Sequence, residues 1–123
     1  MANKAVRTMV CVTGQRNCER LIREGAQHGS GDELLILHVA HPGQALMGFP
    51  DDPGALEYLY EIARGYCAEM RVTRAEDVVE AIVSVAKEKQ IGCVVMGAAG
   101  EDRRNDYARA IAARLPEAKL IVL

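Results

Sequence analysis

Apolar positions along this chain follow two patterns: short, nearly unbroken runs, and longer stretches in which they recur at the spacing of one helix face. The first run, Val6 to Thr13, holds Val6, Met9, Val10, Cys11 and Val12 and is closed by Gly14, as in a strand covered on both sides. Asn17 is placed to cap a helix whose stripe is Cys18, Leu21, Ile22, Gly25 and Ala26, with Gly29 and Gly31 ending it. Leu34 to Ala40 is a second nearly unbroken run, interrupted by His38. The stretch from His41 to Gly54 follows, with Pro42, Gly43, Gly48, Pro50 and Pro53, and reads as a long, mobile loop.

Asp51 or Asp52 is expected to cap the next helix, with Pro53 in its first turn and Ala55, Leu59, Ile62, Ala63 and Tyr66 as its buried stripe, ending near Cys67. Ala68 to Thr73 carries only Met70 and Val72 as apolar residues, yet a strand is needed between two helices at this spacing. Asp77 and Glu80 have capping-box spacing, with Thr73 and Glu76 a competing frame, ahead of the stripe Val78, Val79, Ile82, Val85 and Ala86. Ile91 to Met96 is the fourth strand. Tyr107, Ala110, Ile111 and Leu115 form a last helical stripe stopped by Pro116, and Leu120 to Leu123 is a fifth strand. Strands alternating with helices predict one α/β domain over residues 1–123: an open, mostly parallel five-stranded sheet, Rossmann-like, with helices on both faces. Ligands of such sheets sit beyond the strand C-termini where the strand order reverses, which directs attention to the loops after strands one and four.

Composition narrows the function. A chain of 123 residues, half of them apolar, buries a single core without metals or disulfides. The formal charge of -2 and the scattered basic residues leave no footprint for nucleic acid. The opening apolar run is too short for a signal peptide or a membrane span, so a cytoplasmic, membrane-free protein is expected. Cys11, Cys18, Cys67 and Cys93 form no CxxC and are expected to be reduced.

The candidate chemistry is sparse. The turn beginning Thr13-Gly14 leads into a helix whose backbone N–H groups can hold an anion. Gly97-Ala98-Ala99-Gly100 lets a ligand approach the backbone closely, and Arg103 and Arg104 behind it can pair with phosphate, while Glu101 and Asp102 repel it. His38 and His41 are not read as a metal pair, because strand geometry separates their side chains. Neither Ser30 nor Ser84 has a base partner at a strand end, so catalysis finds no support. A phosphoacceptor receiver is excluded by Thr13 and Thr73 where acidic residues belong. Tyr58 and Tyr60 point to different faces and read as packing residues.

Taken in order and spacing, MVCVTGQRNCERLI, LLILHVA, EDVVEAIVSVAKEKQIGCVVMGAAG and LPEAKLIVL resemble the universal stress protein family, and VCVTGQ with CERLIR is similar to the stress-protein-like domain of potassium-sensing histidine kinases. The resemblance implies strand order 3-2-1-4-5, an adenine nucleotide alpha hydrolase-like fold and a homodimer formed by pairing of the last edge strand, here Leu120, Ile121 and Val122. It implies an adenine nucleotide ligand (ATP, AMP or a cyclic dinucleotide) near Thr13, Gly14, Val39, Gly97 and Gly100, with Arg103, Arg104 or Asn105 at the phosphates. Gly97 and Gly100 match the first half of the family's glycine pattern. The following Gly-Ser or Gly-Thr has no counterpart, since alignment from Pro116 puts Asn105-Asp106 at the helix start. Two non-enzymatic readings follow: a regulatory domain sensing an adenine nucleotide weakly, and a ligand-free dimerisation or docking module for a kinase or transporter with a vestigial crevice.

Overall fold

A computed structural model of the chain describes residues 7–12, 15–28, 33–97 and 102–123. Strands β1 (Arg7–Val12), β2 (Glu33–Ala40), β3 (Glu69–Arg74), β4 (Cys93–Met96) and β5 (Lys119–Val122) alternate with helices α1 (Gln15–His28), α2 (Asp52–Gly65), α3 (Val78–Glu88) and α4 (Asp102–Arg114). All strand pairs are parallel, in the order β3-β2-β1-β4-β5, as the resemblance implies.

The unbroken apolar runs are explained by the two faces of the sheet. Side chains alternate along a strand, so Val10, Val12, Ile36 and Val95 join Cys18, Leu21 and Ile22 of α1 and Ala55, Leu59 and Ala63 of α2 in one core layer. Met9, Cys11, Leu35, Leu37 and Val94 turn the other way, onto Ile82, Val85 and Ala86 of α3 and Ile111 of α4. β1 lies between β2 and β4 at the centre of the sheet, with Val10 opposite both Ile36 and Val95.

Two caps match the expectation. Asp51 accepts a hydrogen bond from the Gly54 N–H at 2.7 Å, and Asp77 accepts one from the Glu80 N–H at 3.0 Å, which selects the Asp77 frame over Thr73. Other expectations need correction. Asn17 lies inside the first turn of α1, which begins at Gln15, so it is not the cap. Tyr66 is 37% exposed, because α2 ends at Gly65 and Tyr66 is the C-cap residue, off the buried stripe. The connection from β2 to α2 is not a loose loop. It contains a 3-10 turn, Leu46–Gly48, that buries Leu46 and Met47 in the α1/α2 layer, with Met47 held at φ 52. Two apolar side chains in a Pro- and Gly-rich stretch are enough to fold it inward.

At Gly25, α1 lies so close to the sheet that a side chain has no room. A Cβ placed there collides with Val10 Cγ2, and Val10 is fully buried and stiff about χ1. Gly25→Ala is therefore expected to destabilise the domain: overpacking costs about 1–3 kcal/mol, against a helix-propensity gain of about 1 kcal/mol. The urea midpoint should fall; a raised midpoint would show that α1 slides outward at no cost.

Candidate functional site

Strand order reverses between β1 and β4, since the chain winds outward to β3 on one side and to β5 on the other. At the C-terminal ends of these central strands lies a cavity of about 60 Å³. Its floor is Cys11 and Val12 of β1, flanked by Leu37 and Val39 of β2 and by Met96 and Gly97 at the end of β4. Val78 and Ile82 from the first turns of α3, and Tyr107 of α4, close it from the helix side. The capped N-terminus of α3 fixes Val78 there.

Of the residues expected to bind ligand, Val39 and Gly97 are brought together at this cavity. Thr13, Gly14 and Gly100 lie outside the described residues. Arg103, Arg104 and Asn105 fall in the first turns of α4, which starts at Asp102 and not at Asn105-Asp106. Its first turn is wholly polar, so a stripe counted back from Pro116, which marks only apolar positions, does not reach the helix start. Five residues, 97–101, therefore separate β4 from α4.

Sequence reasoning did not single out Cys11, Leu37, Met96, Val78, Ile82 or Tyr107 for this site. The available signal was parity: Cys11, Leu37 and Val39 stand on the same sheet face, one to three residues from the strand ends. The described lining is chemically quiet. Its ionisable groups are the Tyr107 phenol and the Cys11 thiol, and burial pushes that thiol up to about 12, so it is neither a nucleophile nor a metal ligand at neutral pH. All four cysteines are free thiols. Among the described residues no group of three or more His, Cys, Asp or Glu is arranged to hold a metal. No described helix is long and apolar enough to cross a membrane.

An open parallel α/β sheet with an apolar crevice at its switch point defines the class of fold that carries ligands beyond its central strands. The chain belongs to the universal stress protein family, whose sequence model matches residues 6–118. The fold is similar to that of a universal stress protein solved in complex with cAMP, at 17% identity and a TM-score of 0.69, covering 98% of each chain. It is similar also to the universal stress protein from Archaeoglobus fulgidus in complex with dAMP, at 18% identity and 0.65, covering 95% of this chain and 96% of that one. A family protein from Arabidopsis thaliana with AMP bound has 17% identity and a TM-score of 0.56, covering 96% and 89%. No curated protein matches the sequence.

Proposed function

We propose that this protein is a non-enzymatic regulatory domain whose switch-point crevice takes an adenine nucleotide weakly. The observation that carries the reading is the meeting of Val39 and Gly97 across Val12: an apolar slot for a base beside a glycine that lets a sugar or phosphate approach the backbone. Similarly folded family members hold cAMP, dAMP and AMP, which supports the same ligand chemistry here. A cavity of about 60 Å³ is far below the several hundred Å³ that a drug-sized ligand occupies. Met96 and Tyr107 must therefore move aside, and the cost of that movement is what makes binding weak. Arg103, Arg104 and Asn105 on the first turns of α4, next to Gly100 in sequence, are the groups we assign to the phosphates, with Thr13 and Gly14 completing the site after β1.

Thermal denaturation with ATP, AMP, cAMP and a cyclic dinucleotide tests this. A ligand at a hundred times its dissociation constant should stabilise the fold by about 2.7 kcal/mol. A melting temperature unmoved by millimolar concentrations of all four would leave the docking module as the function.

That second reading has its own observation, the contrast between the two sheet edges. Along β3, Arg71 pairs with Glu88, Arg74 with Asp52 and Glu69 with Lys89. The edge at β5 carries Leu120, Ile121 and Val122, with Val122 43% exposed. We propose that β5 pairs with β5 of a second copy and that the dimer docks on a cytoplasmic signalling partner such as a kinase or transporter. The likeness of VCVTGQ and CERLIR to a sensor-kinase domain points to the same partner class.

A further inference from the structure

His38 is buried at 3% exposure and is tied at both ring nitrogens. Its Nδ1 lies 2.8 Å from the Val12 carbonyl oxygen at the end of β1, and its Nε2 lies 3.2 Å from the Met47 N–H in the 3-10 turn. A backbone N–H can only donate, so Nε2 carries the lone pair and Nδ1 the hydrogen that Val12 accepts. One neutral tautomer thus joins the last residue of the central strand to the middle of the β2–α2 connection. Protonation would place an N–H at Nε2 against the Met47 N–H, replacing a hydrogen bond by two opposed donors.

We propose that His38 is a proton-operated latch: neutral, it holds the turn carrying Leu46 and Met47 against β1, and protonated, it releases that turn and uncovers its apolar side chains. The latch is independent of nucleotide binding. Its surroundings favour this behaviour. Alternation along β2 puts His38 on the face of Ile36 and Ala40, toward α1 and α2. The charged and titratable groups there are Arg74 of β3, paired with Asp52 of α2, together with Tyr58 of α2 and Cys18 and Glu19 of α1. Burial holds the imidazole below its ordinary pKa, the Val12 carbonyl opposes this, and the Arg74 guanidinium reinforces it.

The sign follows. Releasing the turn relieves part of the burial that holds the imidazole down, so His38 titrates higher with the turn released than with it closed. Closure is therefore fully favoured above the released-state value and weakens as pH falls through it toward the closed-state value, by at most about tenfold in the opening constant per pH unit.

Amide hydrogen exchange on the whole chain reads this directly. Corrected for intrinsic rates, the Met47 N–H should open faster as pH falls, by at most about tenfold for each unit, while Val95 in the central sheet keeps its protection. In His38→Gln, whose amide can make both bonds but does not titrate, the Met47 dependence should vanish. A flat profile in the natural protein, an unchanged slope in His38→Gln, or Val95 opening in step with Met47 would each overturn the latch. If His38→Gln does not fold, ring 15N shifts of the natural protein decide: protonation of Nε2 must coincide with loss of Met47 protection, and protonation with the turn still closed defeats the proposal.

Discussion

Truncation of Leu59 to alanine is expected to lower the unfolding free energy by about 2–5 kcal/mol, a large part of the 5–15 kcal/mol typical of a single domain. Leu59 is fully buried in the layer between α2 and the sheet, one turn from Ala55 and one from Ala63, so its neighbours on the helix are too small to fill the space it leaves. On the same helix Leu56 is exposed, and Leu56→Ala should stay within about 0.5 kcal/mol. Urea denaturation of the two variants checks both numbers. Equal midpoints would mean that α2 is not seated on the sheet through Leu59.

The second large effect is on assembly. Along β5 the amides of Lys119 and Leu123 donate inward, to Gly92 and Met96 of the β4 side. By the alternation of a parallel ladder, those of Leu120 and Val122 face outward. Val122→Pro removes an outward donor and leaves the inward ladder intact, a substitution that an edge strand tolerates. The proposed dimer should become a monomer by light scattering, with little change in the far-UV circular dichroism. A dimer of unchanged mass would place the interface elsewhere, and loss of the fold would show that Val122 is held inside the sheet.

Much of the architecture was legible because the sheet is parallel and doubly covered. Each central strand must be apolar on both faces, so β1 and β2 stand out as unbroken runs, and Asp77 with Glu80 announces α3 through a local hydrogen bond. Features that depend on distant parts of the chain were not legible. The inward fold of Leu46 and Met47 depends on a space between α1, α2 and β2 that no local pattern displays. The polar first turn of α4 carries no stripe to count. His38 looked like a poor metal ligand, and its role emerges only when the register of β1 on β2 sets it opposite Val12. At the crevice, Gly97 was visible as a glycine after a strand and Val39 through the family resemblance, but Tyr107 and Met96 read simply as core.

The ion pairs along β3 bear on how large an assembly can grow. A sheet with two adhesive edges adds copies at both ends and has no reason to stop, which is the route to fibres. Here one end of the β3-β2-β1-β4-β5 sheet is laced with Arg71, Arg74 and Glu69 and their partners, and only the other presents an apolar strand. Pairing β5 with β5 about a two-fold axis would use up the adhesive edges and leave a charged one at each end of the joint sheet. Growth would then stop at two copies, with the limit set by the strand farthest from the contact.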